Sequence, residues 1–210
     1  MKHIITIQHT QSEQHVNRMI GSWAEWDLTE LGIRQAHRIG ERLYAELNGE
    51  PYVIYSSDLL RARHTAEIVA EYFRTSPVYD AALREFDLGE AVGMSKECAR
   101  THVTCPVWPH TVDRAESVDG RPFRGAESVR NVWERLFPFF RQILENESEP
   151  IILVSHDGTL SVFFAMWLRW QVEMLETSCL FGKSGGVSFL CEDEAGHRII
   201  ERLNDMSYIE

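Results

Sequence analysis

The sequence predicts an α/β fold, a three-layer sandwich with a mainly parallel central sheet and helices on both faces. Short apolar runs of strand length alternate with longer segments of helical periodicity, a pattern typical of right-handed βαβ units. One run, residues 151–154, is apolar throughout, as expected of a parallel strand covered on both faces. The chain has 210 residues, and we expect a single domain over residues 1–210.

The first part of the chain alternates strand and helix twice. Residues 2–7 predict a short buried strand. Residues 29–47 predict a helix, because apolar side chains repeat at helical spacing and Thr29 offers an N-terminal cap. Residues 51–55 predict a second strand and residues 59–74 a second helix.

The second part begins with a long connection. Residues 86–125 show no periodicity, and a connection of that length is usually functional, so we expect a lid or insertion loop. Residues 126–145 predict a helix that Pro138 should kink. Residues 187–192 and 198–203 predict two antiparallel strands around a turn. The helix carries an apolar stripe that we expect to lie in the core: Trp133, Leu136, Phe137, Phe140 and Leu144.

Composition and charge restrict the classes of partner. Hydrophobic residues make up 44% of the chain and charged residues 25%, as in ordinary soluble proteins. The net charge of -11 argues against a nucleic-acid partner, which needs a basic face, but does not exclude a small phosphorylated metabolite. The most apolar stretch, residues 160–168, is about half of a ~20-residue membrane span, so we expect no membrane insertion. Without a leader-like segment or a paired-cysteine motif, the sequence indicates a reduced, cytoplasmic protein, and it leaves a homodimer open.

Chemically capable side chains follow three of the predicted strands. His9 comes directly after the first strand and His156 after the third, while Arg61 opens the helix after the second strand. In an open parallel sheet, ligands bind outside the carboxyl ends of the strands, so we expect these residues at one rim. Glu85 begins the long loop and is a fourth candidate, although Asp87 and Glu90 lie close to it.

This set of residue types fits phosphoryl transfer. A neutral imidazole attacks phosphorus and holds the phosphoryl group covalently. An arginine binds phosphate oxygens through forked hydrogen bonds, and a second histidine, if protonated, stabilises the charge of the transition state. A carboxylic acid protonates the leaving oxygen and then activates water. The chemistry requires no metal ion and no cofactor.

Six short motifs occur along the chain in a fixed order. They are the strand-then-histidine segment 4–12, Leu28-Thr29-Glu30-Leu31-Gly32, Ser56-Ser57-Asp58-Leu59-x-Arg61-Ala62, Leu83-Arg84-Glu85, Gly125-x-Glu127-Ser128 and Val154-Ser155-His156-Asp157-Gly158. In this order the chain resembles the histidine phosphatase superfamily, whose members include phosphoglycerate mutases and many small-metabolite phosphatases. The resemblance covers nearly the whole chain.

The resemblance implies a role for each matching residue. His9 would be the nucleophile and Glu85 the proton donor, with Arg61 and His156 as phosphate ligands. Ser12 lies where a family residue often helps to bind phosphate. Asp157 is a candidate substrate contact, or alternatively a cap for the helix that follows the third strand.

The chain departs from the family pattern beside the nucleophile. Gln8 stands where the family usually has an arginine, and His15 stands where it often has asparagine, with Asn17 nearby. Gln8 still offers an amide donor, and a protonated His15 would replace the missing charge. Thr10, in place of glycine, is expected to crowd the backbone beside the phosphate.

The predicted function is therefore a metal-independent phosphatase that hydrolyses a small phosphomonoester through a phosphohistidine. Phosphoglycerate mutase-type transfer is the nearest alternative. A weakly active or non-catalytic phospholigand-binding relative is the other, because the motif arginine is Gln8. The joint presence of His9, Arg61, Glu85 and His156 favours an active phosphatase.

The predicted lid contains two further groups of polar residues. Cys98, His102, Cys105 and His110 raise a zinc hypothesis, but their spacing matches no common zinc motif, so we predict no metal site. Substrate specificity would come from lid side chains that the sequence does not place: Trp108, His110, Arg114, Arg121 and Arg124.

Overall fold

The computed structural model describes residues 2–108, 111 and 113–210. The strands in this part of the chain are β1 (His3–Gln8), β2 (Val53–Ser56), β3 (Val78–Tyr79), β4 (Ile151–Ser155), β5 (Val187–Glu192) and β6 (Arg198–Asp205). The helices are α1 (Glu13–Asn17), α2 (Glu30–Glu46), α3 (Leu60–Phe73), α4 (Lys96–Arg100), α5 (Val129–Asn146) and α6 (Asp157–Trp167). Short 3-10 turns lie at Ala81–Leu83, Gly89–Ala91, Val172–Glu176 and Ser207–Ile209.

The strands form one mixed sheet in the order β3-β2-β4-β1-β5-β6. β1 pairs in parallel with β4, and β2 pairs in parallel with both β4 and β3. β5 pairs antiparallel with β1 and with β6. The predicted α/β class with a mainly parallel sheet is confirmed, and so is the antiparallel pair at its end.

Each face of the sheet is covered by a pair of helices. Ile5 and Ile7 of β1 pack with α2 and α3 in one core cluster, whereas Ile4 packs with α5 and α6 in the other. This division follows from strand geometry, because successive side chains point to opposite faces. The three predicted layers are therefore present.

The long helix α5 begins at a capping box, in which Ser128 and Asn131 satisfy each other's backbone N–H groups. The helix continues through Pro138 to Asn146. The prediction that Phe137 lies in the core is wrong, because its side chain is 45% exposed. Of the predicted stripe, only Leu136 and Phe140 are fully buried, and Trp133 and Leu144 are partly buried. Helical periodicity instead buries the positions that face the sheet: Val132, Leu136, Phe139, Phe140 and Ile143.

The segment predicted to be irregular, residues 86–125, contains more local structure than periodicity suggested. It includes α4, which Ser95 caps by accepting from the Cys98 N–H at 3.1 Å. An isolated bridge joins Val107 to Ala115. Elements this short bury too few side chains to leave a periodic signal.

Within the described part of the chain, no helix has both the length and the apolar character needed to cross a membrane.

Gly32, in the first turn of α2, allows the helix to lie directly against the loop that follows His9. A Cβ atom built on Gly32 would lie 1.9 Å from the Gln11 carbonyl oxygen, and the Gly32 carbonyl accepts the Thr10 hydroxyl at 2.8 Å. Both contacts fix the backbone immediately downstream of the nucleophile candidate.

We expect Gly32→Ala to lower the free energy of unfolding by about 1–3 kcal/mol, because the methyl group forces the helix and the loop apart. In an unobstructed helix the same change would raise stability by about 0.5–1 kcal/mol. Urea unfolding shows whether the free energy of unfolding falls or rises. Glu41→Ala, on the exposed face of α2, is the control, and its free energy of unfolding is expected within about 0.5 kcal/mol of wild type. Unchanged or increased stability of the Gly32 variant would contradict this account.

Candidate active site

A cavity of about 230 Å³ lies at the carboxyl ends of β1 and β4. Its lining combines residues from the end of β1, from α1 and the loop after it, from the start of α3, from two separate parts of the predicted lid and from the start of α6. The side chains that matter most for its chemistry are His9, His15, Arg61, Glu85, Lys96 and Asp157. His9, Arg61 and His156 were expected at one rim, with Glu85 as a fourth candidate. His9, Arg61 and Glu85 line this cavity, whereas His156 lies beside His9 and does not line it.

His9 is buried and lines the cavity, and its two ring nitrogens have different partners. Its Nδ1 lies 2.8 Å from the Thr10 carbonyl oxygen, which only accepts, so Nδ1 carries the proton. The lone pair of Nε2 accepts a hydrogen bond from Arg61 Nε at 3.2 Å. Burial, followed by the charge of Arg61, lowers the pKa of His9 well below its usual value. His9 is therefore neutral at pH 7, in the tautomer that leaves Nε2 nucleophilic.

His156 lies beside His9, with the two ring centres 5.1 Å apart and nearly edge to face. Its Nε2 lies 2.9 Å from the Ser57 hydroxyl, which also accepts the Leu59 N–H at 3.2 Å. Ser57 can thus donate its own proton to Nε2, and in that tautomer the imidazole proton lies on Nδ1. Nδ1 is buried and has no partner among the described residues.

His156 was expected to stabilise charge if protonated, and this condition is not met. Burial, followed by Arg61, lowers the pKa of His156 well below its usual value, so the ring is neutral rather than protonated at pH 7. A neutral Nδ1–H in a buried position is still a hydrogen-bond donor for an oxyanion.

Arg61 is almost fully buried and is held by the backbone of the loop after α1. Its Nη1 donates to the Ala24 carbonyl at 3.2 Å and its Nη2 to the Ser22 carbonyl at 2.8 Å. Burial lowers the pKa of Arg61 to about 10, so the guanidinium remains charged at pH 7. The cation is thus fixed beside the nucleophilic nitrogen.

Glu85 is the carboxyl group of the acid loop that reaches the cavity, as predicted, whereas Asp87 and Glu90 do not line it. Its oxygens accept the N–H groups of Phe86 at 2.9 Å and Gly158 at 3.3 Å. Burial, with a contribution from Asp157, raises the pKa of Glu85 to about 7. At neutral pH the group exists in both protonation states, which suits a proton donor that later acts as a base.

Three residues that sequence reasoning did not select hold the acid loop in place. Trp23 Nε1 donates to the Glu85 carbonyl at 2.7 Å, and Arg135 donates to the same oxygen at 3.3 Å. Arg135 also forms a bidentate pair with Glu127, at 2.9 and 3.0 Å, and Glu127 accepts the Asp87 N–H. The Gly125-x-Glu127-Ser128 motif was the signal for Glu127, but neither Trp23 nor Arg135 lies in a motif that was recognised.

The region around His15 differs most from expectation. Its ring stacks on that of His9 at 5.5 Å, and its Nδ1 accepts the Ser12 N–H at 3.2 Å. Burial, followed by Lys96 and Arg61, lowers the pKa of His15 to about 4. His15 is neutral at pH 7 and does not replace the charge of the missing arginine.

Lys96, at the start of α4, brings a positive charge into the lining that the sequence did not place. Its side chain has no ion pair or hydrogen bond within the described part of the chain. The chain has only three lysines, and this scarcity is the one, weak, feature of the sequence that draws attention to Lys96.

Two other predicted phosphate contacts do not line the cavity. Ser12 is the buried N-cap of α1, and Asn17 is exposed at the end of that helix.

Thr10 is buried on the far side of the nucleophile loop. Its hydroxyl donates to the Gly32 carbonyl, and its N–H donates to the Thr65 hydroxyl at 3.2 Å. The prediction that Thr10 crowds the phosphate is wrong, because its side chain packs toward α2 and α3.

Asp157 lines the cavity as the first residue of α6, and His156 occupies the N-cap position. Its Oδ1 accepts the Gly182 N–H at 2.7 Å. Burial raises the pKa of Asp157 to about 6, with Asp113 contributing in the same direction. The alternative in which Asp157 caps the helix does not match this geometry.

The predicted lid supplies the outer wall. Arg114 lies over the Trp108 ring at 4.3 Å and over Phe181 at 5.7 Å, and it donates to the Leu175 carbonyl at 2.8 Å. Arg114 and Phe181 line the cavity. Of the other lid candidates, Arg121 donates to the Ala126 carbonyl, Arg124 is exposed, and His110 lies outside the described residues.

The zinc hypothesis has little support in the described residues. They contain no group of three or more metal-binding side chains placed to share an ion. Cys98 Sγ lies 3.9 Å from His102 Nδ1, and Cys105 Sγ contacts the Arg121 carbonyl at 3.3 Å. His110, the fourth member of the proposed set, falls outside the described part.

Comparison with known proteins places the chain among histidine phosphatases. The model of the histidine phosphatase superfamily (branch 1) matches residues 4–205. A 2,3-bisphosphoglycerate-dependent phosphoglycerate mutase of Rhizobium etli is 30% identical over 166 residues, which cover 75% of each chain. The corresponding mutase of Azorhizobium caulinodans is 29% identical over 180 residues, covering 81% of this chain and 83% of that protein.

Solved structures share the fold over almost the whole chain. A mycobacterial glucosyl-3-phosphoglycerate phosphatase gives a TM-score of 0.81 at 23% identity, covering 97% of this chain and 99% of its own. Bacillus stearothermophilus YhfR gives 0.78 at 26% identity, with full coverage of both chains.

We expect Asp157→Asn to lower the pKa of Glu85, because it removes a negative charge that raises this pKa while an amide oxygen still accepts the Gly182 N–H. Carbon-13 NMR titration of the Glu85 carboxyl group measures the change. Asp87→Asn is the matched control, since Asp87 lies two residues from Glu85 but outside the cavity. An unchanged or higher Glu85 pKa in the Asp157 variant would show that the two carboxyl groups are not coupled.

Proposed function

The chain belongs to the histidine phosphatase superfamily, and we propose that it is a metal-independent phosphatase that hydrolyses a small phosphomonoester through a phosphohistidine at His9. The observation that carries this proposal is the state of the His9 ring. Its Nδ1 proton is held by a backbone carbonyl, and its Nε2 lone pair meets a fixed guanidinium. A phosphoryl oxygen that binds Arg61 brings phosphorus next to Nε2.

In the first step His9 Nε2 attacks phosphorus, an N–P bond forms and the P–O bond to the leaving group breaks. Glu85, when protonated, gives its proton to the leaving oxygen. Its pKa of about 7 leaves a substantial protonated fraction at neutral pH. In the second step the Glu85 carboxylate takes a proton from water, the water oxygen attacks phosphorus, and the N–P bond breaks to release phosphate.

The charge that develops on the phosphoryl oxygens is met by two cations and by neutral donors. Arg61 is fixed beside His9, and Lys96 lies in the same lining. The Nδ1–H of His156 is buried, close to His9 and otherwise unpaired, which suits a donor that waits for a substrate oxygen.

A small phosphorylated metabolite suits the size and lining of the cavity. About 230 Å³ accommodates a compact ester rather than a protein segment. Lys96 and Arg114 offer positive charge and Phe181 an apolar surface. The relatives point to phosphoglycerates and sugar phosphates as the first compounds to test.

Mutase-type transfer is the second candidate, and the 30% identity to phosphoglycerate mutases favours it. A mutase must return the phosphoryl group from the histidine to a second substrate oxygen before water reaches it. Phosphate release from a panel of sugar phosphates, phosphoserine and phosphoglycerates, with and without bisphosphoglycerate, separates the two activities. Release without bisphosphoglycerate supports the phosphatase, whereas bisphosphoglycerate-dependent isomerisation supports the mutase. Absence of both, together with ligand binding, would indicate a non-catalytic relative.

We expect His9→Ala to abolish both turnover of an aryl phosphate and covalent phosphorylation of the protein, because the variant lacks the nitrogen that lies beside the fixed Arg61 guanidinium. Gln8→Arg is expected to leave turnover equal or higher, since it restores a cation beside the phosphate. His3→Ala, an exposed histidine on the same strand, is the control for loss of an imidazole. Residual phosphoenzyme in the His9 variant would contradict the assignment of the nucleophile.

We expect turnover of an alkyl phosphate to fall as the pH rises through about 7, because the first step requires protonated Glu85. Glu85→Gln removes the proton donor and should lower this rate by about 10²–10⁴-fold. The loss should be smaller for an aryl phosphate, whose leaving group needs little protonation. Equal losses on both esters would argue against Glu85 as the acid.

A further inference from the structure

A second, small cavity lies directly behind Gln8, on the α6 side of the sheet. Its volume is about 10 Å³, close to what a single water molecule requires. Leu160 and Phe164 of α6 close one side. The rest of its wall is polar or glycine: Gln8, Asp157, Gly182, Gly186, Ser188 and Asn204.

Gln8 forms the partition between this small cavity and the main one, since it lines both. Strand alternation turns its side chain to the same face as Ile4, toward α6. Its backbone is fixed on both sides, because its N–H donates to the Gly186 carbonyl and its carbonyl accepts the Gly185 N–H, each at 3.0 Å. Because the side chain lines both cavities, the orientation of its amide decides which of the two terminal atoms faces which cavity.

The amide oxygen of Gln8 faces the small cavity. A Cβ atom built on Gly182 would lie 2.6 Å from Gln8 Oε1 and 3.1 Å from Asn204 Oδ1, so both oxygens are directed at the same glycine. Gln8 Oε1 is buried and accepts no hydrogen bond from any described residue. Native structures rarely leave such an oxygen unpaired.

The backbone donors next to Gln8 Oε1 are already used. The Gly182 N–H donates to Asp157 at 2.7 Å, and the Lys183 N–H donates to Asn204 Oδ1 at 2.6 Å. The Ser188 hydroxyl accepts the Asn204 N–H at 2.9 Å, which leaves its own proton to donate. A group that donates a hydrogen bond to Gln8 Oε1 and accepts one from the Ser188 hydroxyl would therefore lie inside the small cavity, which both side chains line.

We propose that one buried water molecule fills the small cavity, accepts the Ser188 proton and donates to Gln8 Oε1, and thereby directs the Gln8 amide N–H₂ at the phosphoryl group. Gln8 is then a neutral phosphate donor at the position where the family usually has arginine, with Gly182 and Ser188 as positioning residues. This role rests on the phosphatase function proposed above only in that the ligand is a phosphate. Binding of inorganic phosphate or vanadate reports on it without turnover.

The first test is a double-mutant cycle on vanadate affinity, measured by calorimetry. Gln8→Met removes the amide at nearly constant shape, and Gly182→Ala adds a methyl group to the small cavity, 2.6 Å from the present position of Gln8 Oε1. Each should weaken vanadate binding on the order of 10- to 100-fold, the value of a hydrogen bond to a charged group. The double variant should bind no more weakly than either single variant, because both remove the same donor.

Thr6→Val is the matched control, since it removes a buried hydroxyl on the same face of β1 that does not line the small cavity. It is expected to bind vanadate like wild type. Ser188→Ala should lower the affinity in the same direction as Gly182→Ala, and circular dichroism of each variant shows whether it is folded. If Gly182→Ala does not fold, the cycle is run with Ser188→Ala in its place.

The second test is a high-resolution crystal structure of the wild-type protein with vanadate. We expect one water peak within hydrogen-bonding distance of both Gln8 and Ser188, and a vanadate oxygen at about 3 Å from the Gln8 amide. An empty cavity, unchanged affinity in Gln8→Met or additive losses in the cycle would overturn the role of the water. If the wild type binds vanadate but hydrolyses no ester, the phosphatase function is refuted. The vanadate affinities of the variants still decide whether Gln8 is a phosphate donor.

Discussion

The parallel pairing of β1 with β4 is the constraint on which the site depends. Gln8 lies opposite Ser155 in this pair, so the next residues, His9 and His156, leave the sheet side by side. The His9 N–H continues the ladder by donating to the Ser155 carbonyl at 3.0 Å. Two further members of the site are tied to this pair: Arg61 through its hydrogen bond to His9, and Glu85 by accepting the N–H of Gly158, two residues after His156.

The site keeps its histidines neutral until a ligand arrives. Burial lowers the pKa of both His9 and His156 and raises that of Glu85, so the interior contains one fixed cation, Arg61, with Lys96 at a more exposed position. Such an interior avoids the large desolvation penalty of several buried charges. A phosphate dianion that enters it meets the cations Arg61 and Lys96 together with neutral hydrogen-bond donors such as His156.

Sequence patterns predicted those parts of the molecule whose physical signal repeats along the chain. β5 was predicted over the residues it occupies, and α2 and α3 to within one residue at each end, because apolar periodicity determines their burial. Lys96 was missed because its place in the lining depends on a tertiary contact, in which its N–H donates to the Arg18 carbonyl just after α1, and no periodicity encodes such a contact. Thr10 was misjudged for the same reason, since the direction of one side chain in a loop depends on its tertiary contacts.

Charge states were the least accessible to sequence reasoning. A histidine in a motif reads as a potential cation, but the three-dimensional surroundings of His15 and His156 make both neutral. Of the residues that the family resemblance singled out, His9, Arg61 and Glu85 line the cavity, and burial shifts the pKa of each. The orientation of the Gln8 amide depends on a cavity formed by four separate segments, which only the folded chain brings together.

The hydrogen bond between Arg61 and His9 Nε2 also has a consequence for chemical selectivity. In the resting site the lone pair of the nucleophile is shared with a guanidinium that two backbone carbonyls hold in place. An uncharged electrophile, such as an alkylating or acylating reagent, carries no anion to compete for that guanidinium, so it meets a masked nitrogen. An oxyanion engages the guanidinium and unmasks the nitrogen in the same event, which makes the reactive centre selective for anions before any contact with the rest of the substrate is made.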